Sequence, residues 1–257
     1  MIDKNASIDS KARISSDVCI GPYSVIGPDV EIGSGTSIGS NVVICGNTKI
    51  GKNNKIFHFA SLGAEPQHKQ YAGEDTTLTI GDDNVIREYC SINRGTIQGI
   101  KTTTIGDRNF LMAYTHIAHD CVLGNDNIFA NNATLAGHVI IGSNIVFGGF
   151  VKVLQFCTLG DHCFITGDTN ITKDVLPYVL VSGLHGLVKS YGLNIVGLKR
   201  RGFDSRVLLG LKRAYNVIRS DLPKQQVIEK LEAMLPEYPD VKRFIDILSK
   251  TKRGIIR

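Results

Sequence analysis

An aliphatic residue returns at every sixth position of this chain: Ile8, Ile14, Ile20, Ile26, Ile32, Ile38, Ile44, Ile50, Ile56 and Leu62. The register resumes at Ile80, Ile86 and Ile92. One residue out of phase, it then runs through Ile105, Leu111, Ile117, Leu123, Phe129, Leu135, Ile141, Phe147, Val153, Leu159, Ile165 and Ile171. A period of six is a multiple of the two-residue strand alternation and is not helical, so each unit reads as a short strand plus a turn. Repetition on this scale predicts a solenoid in which neighbouring units bury one another's apolar side chains.

The spacing resembles that of the hexapeptide-repeat acyltransferases, whose three six-residue arms close one triangular coil of a left-handed parallel β-helix. Such a coil is an exception to the usual right-handed crossover. Over about residues 2 to 176 the resemblance implies about eight coils, roughly 40 Å long at the ~4.8 Å strand spacing. From about Tyr191 the register is gone. Phe203, Val207, Leu211 and Ile218 form a helical stripe, Asp221 with Pro223 opens a second helix carrying Val227, Leu231 and Leu235, and Pro239 begins a third with Val241, Phe244, Ile245 and Leu248 inward. The expected architecture is all-β solenoid plus α: a β-helix over residues 1–190 and a helical domain over 191–257 capping its open end.

The formal charge of +5 hides a division, since residues 189–257 hold 16 Lys and Arg against 7 Asp and Glu. A basic tail containing Lys199, Arg200 and Arg201 suits a nucleotide phosphate or an acidic carrier protein, or simply forms solvated helix faces. With no nucleic-acid-binding motif and no Trp, nucleic acid is not an expected partner. Cys19, Cys45, Cys90, Cys121, Cys157 and Cys163 form no CxxC pair, which predicts small buried hydrophobes in a reducing compartment. Neither an apolar leader nor an apolar run of about 18 residues occurs, so a cytoplasmic location without membrane insertion is expected.

The hexad pattern breaks at about 63–79 and 93–104, where polar segments leave the coil as external loops, either tolerated insertions or the material of a site. The densest polar cluster is Tyr114-Thr115-His116-Ile117-Ala118-His119-Asp120-Cys121, followed by Asn131 to His138. With three hexads per coil, Asp120 and His138 stack and His119 lies beside them on one exterior region. An imidazole oriented by a carboxylate is suited to removing a hydroxyl proton near neutral pH. His119 is thus the candidate base and Asp120 its orienter.

Met1 to Lys4, Tyr71-Ala72-Gly73-Glu74, Ile117 to Cys121, Ala130 to His138 and Gly197 to Phe203 together resemble the acyl-carrier-protein-dependent UDP-N-acetylglucosamine O-acyltransferases of lipid A biosynthesis, over essentially the full length. The resemblance implies transfer of an (R)-3-hydroxyacyl chain from acyl carrier protein to the sugar 3-position, by a homotrimer with sites between subunits. It implies no metal and no cofactor beyond the donor's phosphopantetheine. His119 matches the general base, Asp120 its partner and the Gly137 amide an oxyanion donor. Asn132, His138 and Gln155 match the acyl and sugar pocket, His116, His185, Asn194, Arg200 and Arg201 the nucleotide and carrier side, and Gly167 the chain-length ruler, here open for a longer chain of about fourteen carbons as a family expectation.

Gln67, His68 and Gln70 lie in the first loop at acceptor-binding positions, but the family commonly has Asp and Lys where His68 and Gln70 stand. Leu154 likewise replaces a pocket His and Val196 a Glu, and about two residues are inserted near Gly186–Ser190. The loop departures suit a 3-amino acceptor as an alternative to the 3-hydroxyl sugar. Three other readings compete: a later N-acyltransferase of the same pathway, which normally carries an additional uridine-binding domain; a zinc hydratase using His116, His119 and His138; and a non-catalytic trimeric scaffold.

Overall fold

The computed structural model describes residues 1–184 and 187–257. Among the described residues, short strands form three sheets of nine, eight and ten strands, in which the strands up to Asn170–Ile171 pair in parallel with the third one before or after them. Ser7 lies beside Val25, Phe110 beside Ile128 and Thr134 beside Lys152, so three hexads close one coil and each arm contributes to a different face of a left-handed triangular prism. Every residue of the hexad series is buried except Ile8 and Ile14, which are half-buried at the open N-terminal end. Cys90, Cys121, Cys157 and Cys163 are buried as expected, whereas Cys45 is half-buried and Cys19 exposed.

The coils turn at corners where one residue takes a left-handed backbone conformation. Asp120 (φ 59°), Asn132 (φ 63°) and His138 (φ 63°) are examples without glycine. Such residues are uncommon outside glycine and persist where the surroundings over-determine them. Here the adjacent coil does so, as when the His138 amide donates to the His119 carbonyl at 3.0 Å.

Both external loops are present, somewhat shorter than their sequence boundaries. Strand Ser61–Ala64 continues into the first break and Thr77–Ile80 ends it, while Ser91–Asn93 and Thr102–Ile105 bracket the second. Thr77 pairs with Asn47 behind it and with Thr102 ahead, where uninterrupted coils would set it beside Phe59 and Gly95. The first insertion therefore amounts to two whole hexads and the second to one hexad and a single extra residue, so only the second shifts the hexad phase.

The β structure reaches past the expected boundary at 190. Lys189–Leu193 pairs antiparallel with Val179–Ser182, and the helices begin after it. They are α1 (Ile195–Arg200), α2 (Ser205–Ile218), α3 (Lys224–Glu232) and, after a turn of 3-10 helix, α4 (Lys242–Lys250). The short α1, capped by the Asn194 side chain on the Gly197 amide, is too brief to leave a hydrophobic period and was not legible in the sequence. Val227 and Leu231 of α3 and Phe244, Ile245 and Leu248 of α4 are buried, as their spacing predicts. Among the described residues no helix is long and apolar enough to cross a membrane.

Candidate active site

His119 and Asp120 occupy the corner between the nine-stranded and eight-stranded sheets, directly after the strand His116–Ile117. The His119 Nδ1 lies 2.8 Å from Asp120 Oδ2. His138, one coil on, has its Nδ1 3.9 Å from the same oxygen, and its ring meets that of His119 edge to face at 5.0 Å. The expected trio therefore converges, but beneath a cover rather than on an open exterior: His119 and Asp120 are only 5% and 3% exposed.

The cover is the second external loop. Thr96 donates its hydroxyl to Asp120 Oδ2 at 2.6 Å and its amide to both carboxylate oxygens at 3.1 Å, and the Ile100 amide reaches Oδ1 at 2.9 Å. Burial alone pushes the Asp120 carboxyl up. The hydrogen bonds from Thr96 and His119, with the charge of His138, outweigh burial and hold it below its ordinary value. An ionised Asp120 fixes the proton of His119 on Nδ1 and leaves Nε2 bare to accept another.

Gly137 lies against the face of this imidazole. A Cβ there would fall 2.6 Å from His119 Cε1 and 2.8 Å from Nε2, so only glycine admits the ring. Among the described residues no acceptor pairs with the Gly137 amide. His68, on the first loop, packs its ring edge to face on His119 at 5.2 Å, with its Nδ1 buried and without a hydrogen-bond partner. Arg94 of the second loop ties the two loops together by donating to the Tyr71 hydroxyl at 2.5 Å and to the Gly63 carbonyl at 3.0 Å.

The remaining sequence candidates divide by face. Gln155 is exposed on the same corner as His119 and His138, and Gln67 and Gln70 are exposed on the first loop. His116 projects from the nine-stranded sheet with its Nδ1 2.7 Å from Ser91 Oγ, and burial pushes its pKa down. Asn132 and Gly167 lie at a different corner, between the ten-stranded and nine-stranded sheets. Asn194, Arg200 and Arg201 border a cavity of about 550 Å³ floored by Ile128, Val146, Phe164 and Leu180 of the ten-stranded sheet. One chain thus does not bring the arginines to the His119 corner. His185 lies outside the described residues.

Another cavity of about 640 Å³ opens beside His138, between the solenoid and α4, with Ile140, Phe156 and Ile247 in its walls and Lys250 and Arg253 at its edge. The group best arranged for a metal among the described residues is His119, Asp120 and His138, not the three histidines of the hydratase reading. Both oxygens of its only carboxylate are already engaged by the second loop. Thr96 and Ile100 escaped the sequence reading as functional residues. The sole signal was their position inside the segment that breaks the hexad phase.

Comparison with known proteins gives this geometry a family. The C-terminal part, residues 174–256, matches the family model described as UDP N-acetylglucosamine O-acyltransferase, domain 2, and residues 11–46 and 102–137 match that of the bacterial transferase hexapeptide repeat. An acyl-[acyl-carrier-protein]–UDP-N-acetylglucosamine O-acyltransferase of Thiobacillus denitrificans is 49% identical over 205 residues, covering 79% of each chain. The solved structure of LpxA from Acinetobacter baumannii is 46% identical with a TM-score of 0.96, covering 100% of this chain and 99% of that one. UDP-N-acetylglucosamine O-acyltransferase from Moraxella catarrhalis superposes with a TM-score of 0.97 at 43% identity over the same shares. With this identity sustained over most of the relatives' length and the fold matched from end to end, the chain belongs to the acyl-[acyl-carrier-protein]–UDP-N-acetylglucosamine O-acyltransferase family.

Proposed function

We propose that this protein transfers a 3-hydroxyacyl chain from acyl carrier protein to the 3-hydroxyl of UDP-N-acetylglucosamine, the first step of lipid A biosynthesis, with His119 as general base. The observation that carries the reading is the buried His119–Asp120 pair at 2.8 Å with Gly137 against the ring. Nε2 of His119 takes the proton of the acceptor hydroxyl as its oxygen attacks the thioester carbonyl. Asp120 stabilises the imidazolium that forms. The Gly137 amide donates to the developing oxyanion, and the intermediate collapses as the C–S bond breaks. His119 then returns the proton to the departing pantetheine sulfur. Proximity, a base and an oxyanion donor suffice for this chemistry.

Asn194, Arg200 and Arg201 serve the nucleotide or the donor phosphate, for which the guanidinium fork is suited. Since they stand on another face from His119, a complete site takes them from a neighbouring copy, in line with a homotrimer. His138 and Gln155 line the acyl and sugar pocket in this reading, and Asn132 and Gly167, at another corner, reach it from the neighbouring copy.

One observation favours the 3-amino sugar as a second acceptor. His68 places an unpartnered buried nitrogen beside the base, where the family commonly has Asp. The test is acyl transfer followed by mass spectrometry, from a panel of 3-hydroxyacyl carrier proteins to UDP-N-acetylglucosamine and its 3-amino analogue. Product with the hydroxyl sugar supports the primary reading, and product only with the amino sugar replaces it by N-acyl transfer. No product with either overturns both.

A further inference from the structure

We propose that Thr96, on the second external loop, is a positioning residue for the catalytic pair, acting through Asp120 on His119; the proposal rests on the general-base reading above. Thr96 is fully buried and spends both its donors on one carboxylate, the hydroxyl on Oδ2 at 2.6 Å and the amide on both oxygens at 3.1 Å. The Ile100 amide completes the cradle on Oδ1. Oδ2 is also the oxygen that faces His119 Nδ1.

The loop closes on Asp120 so tightly that a Cβ at Gly99 would collide with Cγ and both oxygens of that carboxylate. The inserted segment therefore ends in a fitted socket around one side chain rather than in solvent. The loop is also tied off, internally where the Lys101 amide donates to the Thr96 carbonyl at 3.0 Å, and to the strand Thr77–Ile80 where the Gly95 amide donates to the Thr77 carbonyl at 3.1 Å. A carboxylate held by three fixed donors has one direction left to offer the imidazole. That direction sets both the tautomer of His119 and the aim of its Nε2. The side chain of Thr96 contributes the shortest of these bonds, and from the next coil His138 Nδ1 stays 3.9 Å from the same oxygen.

The decisive comparison is Thr96→Val, which keeps the shape and deletes the hydroxyl, against Thr96→Ser, which restores it. Thr96→Val is expected to lower kcat about tenfold to a hundredfold, the scale of a lost hydrogen bond to a charged group, with KM for both substrates little changed. Relieved of the Thr96 donor, Oδ2 directs more of its charge at His119 and stabilises the imidazolium, so the acid limb of the kcat/KM profile moves to higher pH. The His119 Nδ1 proton resonance shifts in the same variant without any substrate present. Thr96→Ser returns kcat to within about threefold of the parent.

The proposal is overturned if Thr96→Val lowers the melting temperature yet leaves kcat, the acid limb and the proton resonance where they were, or if Thr96→Ser is no better than Thr96→Val. Should Thr96→Val fail to fold, Gly99→Ala asks the same question with the hydroxyl intact, since its methyl must displace the Asp120 carboxylate; an unchanged kcat and pH profile there overturns it equally. His119→Ala separates the two levels. If the parent protein transfers no acyl group, or His119→Ala transfers it undiminished, the general-base reading fails. If His119 is essential and the Thr96 and Gly99 variants behave as the parent, only the role of Thr96 fails.

Discussion

Two buried polar corners of the same prism are stabilised in opposite ways. Where the eight-stranded sheet turns into the ten-stranded one, Asn54, Asn84, Asn109 and Asn127 stack in successive coils. The Asn54 Oδ1 accepts from the amide and side chain of Asn84, the Asn84 Oδ1 from those of Asn109, and the Asn109 Oδ1 from the Asn127 amide, all between 2.8 and 3.1 Å. The ladder ends on the Ile145 amide, which donates to the Asn127 Oδ1, and the side-chain amides of Asn109 and Asn127 donate to the Gly124 and Gly142 carbonyls, so each group there is satisfied within the repeat. At the His119 corner, Asp120 is satisfied by Thr96 and Ile100, which belong to no repeat. A polar residue that the repeat satisfies holds the coil together. One that needs an inserted loop to satisfy it stands at the candidate site.

Four substitutions and titrations bear on that contrast, the largest effect first. His119→Ala should cost at least about a hundredfold in kcat while the folded structure persists by circular dichroism. A loss that tracks unfolding would place the His119 corner in the same structural class as the asparagine ladder. Asn109→Leu should do the reverse. It deprives the Asn127 amide of its acceptor and the Asn84 side-chain carbonyl of a donor, which costs about 2 kcal/mol of stability. The urea midpoint should fall while kcat, measured well below the transition, stays at the parental level; a matching fall in kcat would erase the distinction.

Arg201→Ala tests the face remote from His119. A KM for UDP-sugar or donor raised about tenfold, with kcat little altered, is expected from loss of a charge-assisted contact. A pure kcat effect would contradict the assignment.

The smallest effect concerns His162, another corner residue, which stacks on Tyr178 and meets Phe203 edge to face. Burial, reinforced by the positive charge of Arg201, pushes its pKa down to about 4. Its folded form therefore resists a proton that the unfolded chain accepts at about 6.5. Its contribution to stability is complete above that pH and declines as the pH falls from about 6.5 toward 4. His162→Asn, which keeps a residue tolerant of the left-handed conformation, should flatten the fall in melting temperature between about pH 7 and pH 5. An identical slope in the variant would remove His162 as the cause.

Much of this was readable in advance because repetition is local. Hexads register one arm on the next, and a coil of three hexads stacks Asp120 under His138 without reference to anything distant. The phase slip between Ile92 and Ile105 likewise announced the second insertion. The first, being two whole hexads, left the phase intact and showed only as the gap in the aliphatic series between Leu62 and Ile80. Less was readable about the direction of individual side chains at corners, where alternation stops. His119 has the same parity as the core residue Ile117, and yet its ring turns to Asp120 and His138 at the corner.

By itself, then, the sequence determined the solenoid, the inward set of aliphatic residues, the stacking of Asp120 and His138 with His119 beside them, and three of the four C-terminal helices, since each follows from a periodicity or a cap within a short stretch of chain. Only the tertiary structure decided that Asp120 is buried in a socket made by Thr96, Gly99 and Ile100, that His68 leans on His119, and that Arg200 and Arg201 stand on a different face. Those relations join segments distant from one another in the chain through the geometry of loop closure. Local composition carries no record of that geometry, because the chain between two contacting ends is free to vary.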